Sequence, residues 1–177
     1  MKALVVYESM FGNTEQVAQA ITAGLSKFMA VELVEVTAAP PAIHELLDLI
    51  VVGGPTHAFS MTRPQTREDA VKQGATVGSE AVGIREWLTA LPAGPHSELV
   101  ATFDTRVAEA RRLPGSAAKG AARIVHRLGY APAADAQSFY VLDVDGPLLE
   151  GELDRAREFG ERLGSEAGVR VTGHPVP

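Results

Sequence analysis

The sequence predicts an α/β protein built on a doubly wound, five-stranded parallel sheet. Short, continuous apolar runs alternate five times with longer stretches whose apolar residues recur at helical spacing. The 177 residues hold no repeat, low-complexity tract or linker-like break, so they fit one domain with a sizeable core. Parallel neighbours need right-handed helical crossovers, and alternation in this order therefore places helices on both faces of the sheet.

Each element has its own signal. Lys2 to Tyr7 (KALVVY) is apolar and partly β-branched, as a strand buried on both faces should be. From Thr14 to Met29, Val17, Ala20, Ile21, Gly24, Leu25 and Phe28 form one helical stripe. Val31 to Val36 alternates apolar and acidic residues, the mark of a strand with one less-buried face. Asp48 to Gly53 is a buried third strand running into Gly53-Gly54-Pro55. The span from Pro55 to Gly94 is the least regular, with helices expected at Gln65 to Gln73 and Glu80 to Leu91. Leu99 to Phe103 and Ser138 to Leu142 read as the fourth and fifth strands, separated by a helix from Ser116 to Leu128. Glu152 to Glu166 is a charged amphipathic helix with Leu153, Ala156, Phe159, Gly160 and Leu163 on one stripe. The domain is expected to span residues 1–170, with 171–177 a loose tail.

Composition narrows the function classes. The chain has no cysteine, which excludes a disulfide framework, a cysteine nucleophile and thiolate-held metals or iron–sulfur clusters. A net charge of −6 argues against a general nucleic-acid binder, which needs a basic stripe, and allows a basic protein partner. The first apolar run is far shorter than the ~20 residues that span a bilayer and has no signal-peptide features, so a cytoplasmic location is expected. His44, His96, His126 and His174 are scattered without ligand spacing, and no metal site is expected.

In a parallel sheet of this kind ligands bind outside the carboxyl ends of the strands, at the switch point of strand order. The loops to read are therefore Glu8–Asn13, Gly54–Thr62 and Asp104–Pro114. The first, Ser9-Met10-Phe11-Gly12-Asn13-Thr14, brackets a glycine with hydroxyls at a helix start. Free N–H groups, a partial positive charge and close backbone approach suit a terminal phosphate. A plain capped helix with Asn13 or Thr14 as N-cap is the other reading. No lysine is present, so this is no Walker loop, and the dinucleotide glycine fingerprint is absent.

Over nearly its whole length the chain resembles the flavodoxin family, in its short-chain form. Ser9, Gly12 and Thr14 match that family's Ser/Thr-x-Thr-Gly-x-Thr phosphate loop, with Phe11 in place of the usual Thr. Gly53-Gly54-Pro55-Thr56 resembles the second, Gly-x-Pro-Thr loop, and Asp145-Gly146-Pro147-Leu148 the last connection. The resemblance implies a 2-1-3-4-5 sheet and an FMN cofactor. The residues it assigns to the cofactor are Ser9, Met10, Phe11, Gly12, Asn13 and Thr14, then Pro55, Thr56, His57, Ala58 and Phe59, and finally Asp104, Thr105 and Arg106. Receiver domains share that sheet but place an aspartate at the end of strand three, where this chain has Gly53 and Gly54.

Two functions follow from the resemblance. One is an electron carrier between a reductase and an acceptor protein; the other is an FMN-dependent NAD(P)H:quinone oxidoreductase. A degenerate interaction domain without flavin is the third reading, kept open by Phe11, Ala58 and the missing ring-stacking Tyr of the third loop. Ala58 stands where many flavodoxins carry a glycine whose peptide flips, so weaker stabilisation of the one-electron-reduced flavin is expected. Phe103 is expected to face the core. Arg106 is either a guanidinium beside the pyrimidine end of the flavin or a solvated or phosphate-facing charge, and His57 either a proton donor or a pocket wall. Trp87 is expected in the core, and Arg63, Arg67, Arg111 and Arg112 on the surface.

Overall fold

The computed structural model describes residues 1–41 and 46–172, and His44 and His174 lie outside them. Strand β1 (Lys2–Tyr7) is an interior strand of the sheet, flanked by β2 (Ala30–Glu35) and β3 (Leu49–His57), both parallel to it. Strand β5 (Leu99–Val107) pairs parallel with β3, and β7 (Gln137–Asp143) pairs parallel with β5. The five parallel strands thus run β2-β1-β3-β5-β7, the expected 2-1-3-4-5 order. Three short strands add to them. β4 (Ser60–Met61) folds back on β3, β6 (Ala131–Pro132) pairs parallel with β5, and β8 (Gly146–Leu148) folds back on β7.

Alternation along β1, β3 and β5 sends side chains to two separate cores. Ala3, Val5, Leu49, Val51, Ala101 and Phe103 face α1 (Asn13–Leu25) and α5 (Glu152–Thr172), where Ile21, Leu25, Phe159 and Leu163 cover them. The two helices approach closely because both carry glycine at the contact: a Cβ on Gly24 would lie 2.2 Å from the Arg157 carbonyl, and one on Gly160 2.2 Å from that of Ile21. Leu4, Val6, Ile50, Val52 and Val100 face the other side. There α3 (Ile84–Ala90) and α4 (Ala117–Leu128) supply Ile84, Trp87, Leu88, Ala117, Ala121 and Val125. Trp87 is in this core as expected, its indole N–H donating to the Pro40 carbonyl at 2.8 Å. Phe103 is fully buried, its ring lying across Gly53.

Several boundaries differ from expectation. Helix α3 begins at Ile84 rather than Glu80, because residues 74–83 form a glycine-bearing connection after α2 (Pro64–Lys72). Helix α5 continues past Glu166 to Thr172, so the expected tail begins with two helical residues; residues 173–177 lie outside the described ones. Strands β3 and β5 run beyond Gly53 and Phe103 because they pair with each other through Gly54–Asp104 and Pro55–Thr105. Backbone pairing needs no apolar side chain, so apolar runs underestimate strand length here. Among the described residues no helix is long and apolar enough to cross a membrane.

Candidate functional site

The carboxyl ends of β1, β3 and β5 meet at the switch point, and α1 starts there. Its N-cap is Gly12, not Asn13 or Thr14: Gly12 adopts φ +85°, and the Gln16 N–H donates to its carbonyl at 3.1 Å. A Cβ at Gly12 would have no atom within 4 Å, so the loop faces open space there. The positive φ is a conformation that glycine adopts without strain. The N–H groups of Asn13, Thr14 and Glu15 precede the first intrahelical bond and are left for a ligand.

The side chains of this loop divide into supports and donors. Ser9 is buried and its Oγ accepts from the Gly12 N–H at 3.1 Å, which fixes the turn. Met10 is also buried; its carbonyl accepts from the Val77 N–H, so the 74–83 segment backs the loop. Asn13 donates to the Asp145 carbonyl at 3.0 Å and clamps the β7–β8 turn. Thr14 Oγ1 and Thr105 Oγ1 lie 2.7 Å apart, buried, joining α1 to β5. Each hydroxyl has one proton to give, so this pair can donate one bond within itself and one to a ligand.

Over this helix end lies a narrow hollow of about 60 Å³, lined by Phe11, Asn13, Thr14, Pro55, Thr105 and Arg106 among others. It adjoins a cleft of about 360 Å³ between the β3–β4 hairpin, α2 and the turn after β5. Thr56, His57, Arg106, Val107 and Val144 line both spaces. That volume is in the range of small-molecule sites. Ala58 and Phe59 line the larger cleft and form its hairpin tip.

Three expectations need correction. Asp104 lines neither space: its carboxylate accepts from the Ala118 N–H at 2.8 Å and, with Thr56 and Ser116, caps α4. Alternation along β5 turns it away from Thr105 and toward α4. Ala58 already has φ +47° and Phe59 +61°, the signature of a tight two-residue hairpin turn, so alanine here does not bar positive φ. Arg106 is no solvated charge. It is 5% exposed and reaches back to the carbonyls of Ala110 and Leu113, while its Nε is buried without a partner.

His57 borders both spaces, and burial is the main cause that pushes its imidazole below its ordinary pKa. A hydrogen bond from the ring to the Thr66 backbone opposes the shift, and Arg67 adds a lesser depression. The ring is therefore harder to protonate than a free imidazole, which suits a hydrogen-bonding wall better than a charged proton donor.

Sequence reasoning missed a buried polar network behind the cleft. Arg67, expected on the surface, is fully buried. Its Nε donates to the Glu80 carbonyl at 2.9 Å, Nη2 to that of Ala81 at 3.2 Å, and Nη1 to Thr62 Oγ1 at 2.9 Å and Glu86 Oε2 at 3.1 Å. Glu8, equally buried, accepts from Thr62 Oγ1 at 2.5 Å and from the Ile84 N–H at 2.9 Å. Arg85 ties Ser60, Met61 and Thr62 to the same cluster. Glu8 directly follows an apolar strand, which was the one local sign of this network. Nothing adjacent to Arg67 marked it. Val107, Ala110 and Val144, which also line the cleft, were missed because their apolar side chains carry no chemical signal. Among the described residues no cluster of three or more His, Asp or Glu could hold a metal ion.

Comparison with known proteins places the fold. No family model and no curated protein sequence matches the chain. An archaeal flavodoxin superposes with a TM-score of 0.62 at 20% identity, over 95% of this chain and 99% of its own. A Streptococcus pneumoniae flavodoxin gives 0.61 at 17% identity, over 94% of this chain and 99% of its own. The rubredoxin oxygen:oxidoreductase of Desulfovibrio gigas gives 0.63 at 13% identity, over 97% of this chain but 37% of its own. The chain has the flavodoxin-like fold.

Proposed function

We propose that this chain is an FMN-binding redox protein that carries electrons between a reductase and an acceptor protein. The observation that carries the proposal is the paired site at the switch point. A narrow, donor-lined hollow over the α1 N-terminus opens into a cleft of about 360 Å³. The residues present fit a flavin mononucleotide. Gly12 leaves the loop open to a phosphate, and Thr14, Thr105 and the free N–H groups are donors. The buried, unpartnered Arg106 Nε is a further donor in the wall common to both spaces. Ser9, Met10 and Asn13 act indirectly, by holding the loop and the β7–β8 turn. His57, Ala58 and Phe59 would enclose the ring.

Bound FMN would supply one- and two-electron transfer; the protein supplies grip, enclosure and electrostatics. Two features favour a carrier over a self-contained quinone reductase. Burial shifts His57 toward its neutral form, which makes the cleft a poorer source of a proton for a reduced quinone. The hairpin tip leaves Phe59 53% exposed, an apolar contact available to a docking protein.

Titrating the apoprotein with FMN and following fluorescence quenching tests cofactor binding. Saturation at micromolar FMN is expected, and its absence would move the chain to a flavin-free interaction module. Steady-state NADH or NADPH oxidation with a quinone acceptor separates the two redox functions. Negligible turnover without an added reductase is expected, and rapid turnover would make the protein an oxidoreductase in its own right.

A further inference from the structure

We propose a second ligand site, separate from the cofactor cleft, that takes a small organic carboxylate with an apolar body. The site is a cavity of about 400 Å³ between α4 and the broken edge of the sheet, and it shares no lining residue with the cleft or the hollow. It exists for a structural reason. The last parallel strand is interrupted: β6 pairs with Leu99 and Val100, β7 resumes opposite Phe103, and residues 133–136 bridge the gap. Val100 and Thr102 of β5 are thereby left as a floor, and Ala122, Ala134 and Ala136 are too small to fill the space above them. Tyr130 closes one wall, its ring stacked on His96 at 3.6 Å.

The walls are mainly apolar and the rim is charged. Arg123 and Arg127, four residues apart on α4 and therefore on one face, both border the cavity. Arg67, Arg155 and Arg157 are paired with carboxylates, yet among the described residues neither Arg123 nor Arg127 makes an ion pair or side-chain hydrogen bond. Asp135 is the carboxylate on the rim, with His126 beside the arginines. The imbalance extends along the chain: residues 111–127 contain five Lys and Arg and no Asp or Glu, although the protein carries −6 overall. An apolar cavity beneath two unpaired guanidinium groups is complementary to an apolar body ending in a carboxylate, which a guanidinium can bind in bidentate fashion. Nucleic acid fits less well, since the basic stripe is short and the chain is acidic.

The test is a titration of the isotopically labelled full chain with octanoate and with benzoate, followed by amide NMR and repeated with octanol and benzyl alcohol. At least one of the two acids should give saturable shifts confined to residues 122–136, at least ten-fold tighter than its alcohol. The pattern should persist with FMN present. The surface double variant Arg123→Ala/Arg127→Ala should lose ten-fold or more in affinity for the acid. Ala134→Leu, which fills the cavity, should abolish the shifts while leaving FMN affinity unchanged. Absence of saturable shifts with both acids would overturn the proposal. So would equal affinity for acid and alcohol, or shifts centred on Thr14 and His57.

Discussion

Two buried carboxylates, one just after β1 and one within β5, lie on the two strands that flank β3, and each holds a helix by its N-terminus. Glu8 after β1 accepts the Ile84 N–H of α3, and Asp104 in β5 accepts the Ala118 N–H of α4. Burial pushes Glu8 above the ordinary carboxylate range, and the bonds from Thr62 and Ile84 with the nearby Arg67 only partly offset it. A carboxyl whose pKa is raised on folding stabilises the protein fully below its unfolded value near 4.3, and that contribution is lost as pH rises through the folded value. Wild-type stability should therefore fall from pH 4.5 toward neutrality relative to Glu8→Gln, which cannot ionise. Denaturant unfolding at pH 5 and pH 7.5 measures the difference, and parallel pH profiles for the two proteins would refute it. At the ligand end, Thr14→Val removes a hydroxyl and leaves Thr105 without its buried partner. A lost hydrogen bond of about 1 kcal/mol corresponds to a rise of roughly five-fold in the FMN dissociation constant, read by fluorescence quenching.

Elements explain why some of the site was legible and some was not. Strand β1 and the stripes of α1 and α4 follow from local apolar pattern, which is why the carboxyl-end loops are legible in the sequence. The β3–β4 hairpin is different. It is built from Thr56, His57, Ser60 and Met61 by backbone pairing, with two non-glycine residues at positive φ, so no propensity announces it. Ala58→Gly should relieve that strain and raise stability by up to about 1 kcal/mol, or ~2–4 °C in Tm, measured by calorimetry. Arg67 lies on a polar helix and reads as solvated; it is buried because the 79–86 segment closes over it, and that contact is tertiary. Its planar fork reaches four partners in three directions, which a lysine ammonium cannot reproduce. Both Arg67→Lys and Arg67→Ala should therefore destabilise. The alanine variant should lose on the order of 3–5 kcal/mol, as for other broken buried ion pairs. A Tm unchanged in Arg67→Lys would show that charge alone suffices.

At the scale of the whole molecule, the cleft is held by nearly every layer: β1, β3 and β5 frame it, α1 points into it, α4 is capped beside it, and the β7–β8 turn is clamped to α1 by Asn13. A ligand that binds there can do so only when these elements are assembled, so binding must stabilise the folded state by RT ln(1 + [L]/Kd). At a hundred-fold excess over Kd this is about 2.7 kcal/mol, or ~5–10 °C in Tm for a domain of this size. The choice of ligand makes the experiment specific. FMN and riboflavin share a ring but differ in the phosphate, and the hollow over α1 is where the N–H donors and the Thr14–Thr105 pair are concentrated. Phe11 supplies no hydroxyl, so a bound phosphate would depend more heavily on the backbone donors behind Gly12. FMN should thus shift Tm by the full amount and riboflavin at equal concentration by only a few degrees. Inorganic phosphate at millimolar concentration should compete with FMN. Equal shifts from FMN and riboflavin would mean that the ring cleft holds the ligand without the α1 N-terminus, and the phosphate assignment of Ser9–Thr14 would fall while the enclosing role of His57 and Phe59 would stand.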